Sequence, residues 1–176
     1  MTENTRPKVA VLMGSDSDLK TMVETQKTLA TLGIPHVTRI TSAHRTPERT
    51  AEIARGLEAD GVEVVVVGAG LAAHLAGVIA SFTTLPVIGV PMEGGPLSGV
   101  DALYATVQMP AGIPVATLAI GKHGARNAGV LAAEILGIKY PEIKERLEDY
   151  RSRMRSSVEE KDRQLAAGSE AAAEGD

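Results

Sequence analysis

Val64-Val65-Val66-Val67-Gly68-Ala69-Gly70 is the most strand-like run in the chain, four β-branched residues closed by a glycine-bracketed turn. A strand apolar at every position must be buried on both faces, and a parallel sheet covered by helices on both sides meets that condition. Upstream, Val9 to Met13 repeats the pattern and stops at Gly14, and Val37 to Ile40 gives a further strand. Downstream, Pro86 to Val90 and Val115 to Ile120 predict two more. Helical spacing fills the gaps. Leu19, Met22, Val23, Leu29 and Leu32 recur on one face and end at Gly33, and Thr46 is a good N-cap for a helix with Pro47 at its first position, whose inner face is Ile53, Ala54 and Leu57. Helices are also predicted over 75–81, 100–108 and 125–136. Strands alternating with helices imply an α/β fold, a parallel sheet with right-handed crossovers.

Composition agrees. The chain has 176 residues, 44% of them apolar, with no Trp and a single Phe, so its core must be built from Val, Ile, Leu and Ala. A net charge of −4 argues against nucleic acid or an anionic membrane as partner. With no cysteine there is no disulfide, thiolate nucleophile or Cys-ligated metal. Met1 to Arg6 lacks the apolar stretch of a signal peptide, and no run approaches the roughly 20 apolar residues that span a bilayer, so a cytoplasmic protein is expected. A single catalytic domain is expected over 1–165. From about residue 140, Ile143, Leu147, Tyr150, Met154 and Val158 mark an extended amphipathic C-terminal helix, whose apolar stripe must cover either its own sheet or a neighbouring subunit. The Ala/Gly/Glu/Ser stretch 166–176 is expected to be a disordered tail.

Strand-to-helix loops of such a sheet emerge on one edge, where open α/β sheets bind ligands. Five segments are expected there: 14–18, 42–47, 68–74, 91–99 and 121–127, all rich in Gly or small polar residues. Ser42-Ala43-His44-Arg45-Thr46-Pro47 puts an acid/base imidazole beside a guanidinium that can clamp an anion. Gly14-Ser15-Asp16-Ser17-Asp18 opens a helix, a natural phosphate seat, with Asp18 better employed on a ribose diol and Arg45 supplying compensating charge. His74 is the second candidate histidine, alternatively a half-buried ring satisfying loop backbone, and His36 and His123 rank below both. Gly68 to Ala73 formally fits a dinucleotide fingerprint, but Ile88 and Gly89 stand where its acidic residue belongs, so close packing against a substrate ring suits it better. No Walker lysine, metal-ligand spacing or nucleophile elbow occurs.

Together these segments resemble the class I N5-carboxyaminoimidazole ribonucleotide mutases, also called the catalytic subunit of phosphoribosylaminoimidazole carboxylase. The resemblance rests on Met13 to Asp18, Ser42 to Pro47, Gly68-Ala69-Gly70 with Ala72-Ala73-His74-Leu75, Leu97-Ser98-Gly99 with Asp101, Val107 to Pro110, and Ala119-Ile120-Gly121 with Asn127-Ala128. It departs at Ala76, where the family usually has proline, and at His123, where alanine is frequent. The resemblance implies a three-layer flavodoxin-like (Rossmann-like) fold, a homo-octamer, and neither metal nor organic cofactor. It implies an isomerase of purine (IMP) biosynthesis that moves a carboxylate from the exocyclic nitrogen of an aminoimidazole ribonucleotide to the adjacent ring carbon. An ATP-dependent carboxyaminoimidazole ribonucleotide synthetase would be its functional partner. By position, His44 matches the proton-transferring residue, and Ser15, Asp18 and Arg45 match substrate contacts, with Ser17 and Ser42 as further contacts. Gly14, Ala43, Gly70, Ala72 and His74 complete the expected substrate site. The rival reading is a class II carboxylase acting on the free aminoimidazole ribonucleotide and CO2. From a different class, a non-catalytic nucleotide-binding module shares the fold but has no need of His44.

Overall fold

The computed structural model describes residues 6–173. Its elements run β1 (Val9–Met13), α1 (Leu19–Thr31), β2 (His36–Ile40), α2 (Pro47–Gly56), β3 (Val64–Ala69), α3 (Leu75–Ala80), β4 (Val87–Pro91), α4 (Val100–Val107), β5 (Ala116–Thr117), α5 (Gly121–Gly137) and α6 (Pro141–Ala173). The five strands form one sheet in the order β2-β1-β3-β4-β5, every pairing parallel. This is the flavodoxin-like order, in which the connections reverse direction between β1 and β3.

Every residue of β1, β3 and β4 is buried, as their unbroken apolar runs require, whereas β2 is only half-buried because it lies at the edge. The pleat sorts side chains by alternation. Val9, Val11, Met13, Val64, Val66, Ile88 and Val90 face α1, α5 and the start of α6. Ala10, Leu12, Val65, Val67 and Val87 face α2, α3 and α4. On the first side α1 and α5 approach closely, because a Cβ at Gly129 would meet Thr28 Cβ at 2.8 Å. Thr25 Oγ1 donates to the Ala125 carbonyl at 2.6 Å across the same contact, and Arg126 reaches Glu24 at 2.8 Å.

Two boundaries and one cap differ most from expectation. The last strand, expected over 115–120, pairs only through Ala116 and Thr117. The next helix starts at Gly121 (φ 74°), four residues before the expected Ala125, because Gly124 lets its first turn fold back tightly on the Ala119 backbone. The segment 121–127 is therefore helix, not loop. Third, Thr46 stands at the start of α2 but its hydroxyl makes no capping bond to that helix.

The amphipathic stripe of α6 divides in two. Ile143 and Leu147 are buried in the core with Tyr150 packed against it, while Met154 and Val158 are 54% and 67% exposed. Arg146 anchors the near half by donating to the Gly33 carbonyl at 3.2 Å, and Tyr140 donates to Glu63 at the foot of β3. Of the stretch expected to be disordered, residues up to Ala173 continue the helix and residues 174–176 lie outside those described. Among the described residues no helix is long and apolar enough to cross a membrane.

Candidate active site

The carboxyl ends of β1, β2, β3 and β4 open into one cleft of about 770 Å³, at the point where the strand order reverses. After β1 a 3-10 turn, Asp16–Asp18, leads into α1. Ser15 caps it, its Oγ accepting from the Ser17 amide at 3.3 Å and from the Ser17 hydroxyl at 2.9 Å. Asp18 is half-buried in the cleft wall, and burial raises its pKa above the ordinary carboxylate value. Hydrogen bonds from Ser15, Ser17 and Gly14 oppose that rise without cancelling it.

The loop after β2 stands on a rack of threonine hydroxyls. Thr50, fully buried, lies 2.7 Å from Thr41 Oγ1 and within donating reach of the Ser42 and Thr46 carbonyls at 3.2 and 3.0 Å. Thr46 Oγ1 accepts from the Ser42 amide at 3.1 Å, the bond it makes in place of capping α2. Ser42 Oγ accepts from the Arg45 amide at 3.1 Å. Arg45 then reaches across to the β1 loop, where Nη2 donates to the Gly14 carbonyl at 3.1 Å. Its Nε donates to Ser42 Oγ at 3.5 Å, and the remaining N–H groups of Nη1 and Nη2 can meet an anion at the start of α1.

His44 leaves the far side of this loop and meets His74, from the loop after β3. Nε2 of His44 and Nδ1 of His74 share a hydrogen bond of 2.8 Å, with the rings edge to face at 81°. One nitrogen of that pair must carry the proton and the other the lone pair, so the tautomer of each ring fixes that of its neighbour. His74 is thus exposed and paired with His44, rather than half-buried and satisfying loop backbone.

All eleven residues expected at the site line this cleft: Gly14, Ser15, Ser17, Asp18, Ser42, Ala43, His44, Arg45, Gly70, Ala72 and His74. The fifth expected segment does not reach it, since 121–127 is the start of α5. His123 is exposed on that helix, and His36 Nδ1 lies 3.1 Å from the Ile34 carbonyl at the opposite end of the sheet. Leu71, Met92 and Glu93 also line the cleft, within the expected segments 68–74 and 91–99 though not singled out there, and sequence reasoning missed Lys20 altogether. Lys20 was findable, because it lies in the first turn of a helix whose start was already assigned to the site. Among the described residues no group of three His, Asp or Glu is placed to hold a metal ion.

The AIR carboxylase family pattern matches residues 8–157. The N5-carboxyaminoimidazole ribonucleotide mutase of Pyrococcus horikoshii is 55% identical over 91% of this chain and 89% of that protein. The Thermotoga maritima protein of the same name is 52% identical over 90% of this chain and 92% of its own length. The crystal structure of Treponema denticola PurE superposes with a TM-score of 0.83 at 31% identity, covering 91% of this chain and 99% of that one.

Proposed function

The chain belongs to the AIR carboxylase family, and from that premise we propose how its cleft works as an N5-carboxyaminoimidazole ribonucleotide mutase of purine biosynthesis. The reaction converts N5-carboxyaminoimidazole ribonucleotide to 4-carboxy-5-aminoimidazole ribonucleotide. Relatives at about half identity carry the mutase name, so the rival reading, a carboxylase of free aminoimidazole ribonucleotide, is not favoured.

The substrate's phosphate sits at the start of α1, where the Ser15 and Ser17 hydroxyls, Arg45 and the positive end of the helix converge. Asp18 accepts from the ribose diol, and the Arg45–Gly14 bond keeps the phosphate and ribose subsites in register. The imidazole ring then lies toward Gly70 and Ala72, which present no bulk, and toward the His44–His74 pair. The carbamate loses CO2 in the cleft as His44 gives nitrogen a proton, the ring carbon attacks the CO2, and His44 takes back the proton that this carbon gives up. His74 holds the ring of His44 in one tautomer through their shared hydrogen bond.

The observation that carries these roles is the shared hydrogen bond between two histidines from different loops, inside the cleft that Arg45 spans. The substitution His44→Asn is expected to abolish turnover while leaving ligand affinity within about tenfold, roughly 1.4 kcal/mol. Retained turnover removes His44 from the mechanism. Offering purified protein the carbamate and, separately, free aminoimidazole ribonucleotide with CO2 tests the activity itself. Turnover of the second alone overturns the mutase reading.

An octamer and a cytoplasmic location belong to the same proposal, as does a partner enzyme, the ATP-dependent synthetase that makes the carbamate. The exposed Met154 and Val158 on α6 support contact with further copies of the chain.

A further inference from the structure

Two non-glycine residues among those described have left-handed backbone, Leu71 (φ 56°) and Ser98 (φ 50°). A bulky leucine is rarely found there, because its Cβ crowds its own backbone. Leu71 is also 56% exposed while lining the cleft, so neither its conformation nor its burial is explained by packing of the core. Its side chain does make one contact across the cleft mouth. A Cβ on Gly95 would lie 2.5 Å from Leu71 Cδ2, so the leucine rests directly on the loop after β4 and Gly95 (φ 67°) makes room for it. Strain held at a ligand cleft by surrounding structure points to a role in function.

We infer that Leu71 roofs the cleft, the apolar cap that keeps water out and freed carbon dioxide in; the inference rests on the mutase activity proposed above. In that reaction the carbamate N–C bond breaks, its electron pair returns to nitrogen, and nitrogen takes up a proton. The ring carbon then bonds to the CO2 carbon and gives up its own proton, so the two proton steps balance. Between the two bond changes CO2 is neutral, apolar and held by no covalent bond. Only the walls retain it, and water that enters competes for it. Gly70, Ala72 and Met92 supply small or apolar walls, and the Leu71 side chain bridges from the β3 loop to Gly95.

The test is a single turnover with enzyme in excess over carbamate labelled in its carboxylate, in unlabelled bicarbonate, corrected for spontaneous loss without enzyme. The label is divided between the carbon-carboxylated product and released CO2. Leu71→Gly removes the side chain and relieves the backbone; Leu71→Asn tolerates the left-handed conformation at similar size but is polar; Leu71→Met keeps an apolar cap. The Gly and Asn variants are expected to lose roughly fivefold more label than the wild type while melting no lower, and the Met variant to stay near wild type. Gly and Asn variants that retain label as well as the wild type overturn the roof. A wild-type chain that transfers no label to carbon overturns instead the activity on which the roof depends.

Discussion

Replacing Thr50 with valine isolates the hydroxyl rack beneath His44 and Arg45. Thr50 is fully buried, and valine matches it in shape, so the change removes hydrogen bonds and leaves packing in place. A hydroxyl donates once, so the two carbonyls in its reach, Ser42 and Thr46, share one proton, while Thr41 at 2.7 Å donates to it in turn. The substitution therefore deletes one donated and one accepted bond, each worth about 1 kcal/mol. Thr41, also buried, is left with Thr46 Oγ1 at 3.5 Å as its nearest alternative, too long to replace what it loses. The expected cost is about 2 kcal/mol, which for a chain of this size lowers the melting temperature by roughly 4–8 °C. Because the Ser42 carbonyl and amide are held by the same rack, the loop loosens where it aims His44 and Arg45. The mutase kcat/KM should fall by more than about tenfold, a barrier change near 1.4 kcal/mol. Thr50→Ser restores the hydroxyl and should recover most of both. Melting curves and initial rates on the three proteins decide it. A Val variant that melts within a degree of wild type, or one that loses stability with unchanged kcat/KM, refutes the claim that the rack positions the loop.

Asp18 predicts a trade between stability and function. Burial raises its pKa, so at neutral pH the folded chain holds a carboxylate less comfortable than in the unfolded state. Asp18→Asn should therefore melt higher than wild type at pH 7 while raising KM. The stability gap should close as pH falls below the unfolded value of 3.8, where both states are protonated. An Asn variant that melts lower than wild type at pH 7 contradicts this. Glu24 runs the other way: hydrogen bonds from Arg126, then Lys27, hold its carboxyl down to about 2, against an ordinary 4.5. Its contribution to the α1–α5 contact is present above 4.5 and lost as pH falls toward 2, so the melting difference between wild type and Glu24→Gln should shrink over that window. A difference independent of pH there removes the pair from the stability account. Light scattering should give a mass of eight chains of 18.4 kDa, and the double variant Met154→Glu, Val158→Glu should lower it. An unchanged mass shows that the distal stripe of α6 is not the contact.

What a sequence makes legible here is whatever depends on near neighbours. Short unbroken apolar runs closed by glycine or proline fit central parallel strands, so β1, β3 and β4 were readable to within one or two residues at their ends. β5 was not, because Val115 to Ile120 has the composition of a strand while its pairing is decided by how far β4 and the tight entry to α5 let it run. The left-handed Leu71 was equally invisible: nothing at positions 70–72 predicts a strained leucine, and the reason for it lies at Gly95, in another loop. The candidate site divides along the same line. Residue types named its members, since serine, aspartate and arginine at helix starts advertise anion and diol binding locally. Their pairing needed the strand order. His44 and His74 are 30 residues apart and sit after β2 and β3, strands that are not neighbours in the sheet. With β1 between them, their loops flank the β1 loop and the two rings meet across the cleft. The same placement brings Arg45 down onto Gly14. The His44–His74 pair and the Arg45–Gly14 bond are therefore both consequences of inserting β1 between β2 and β3.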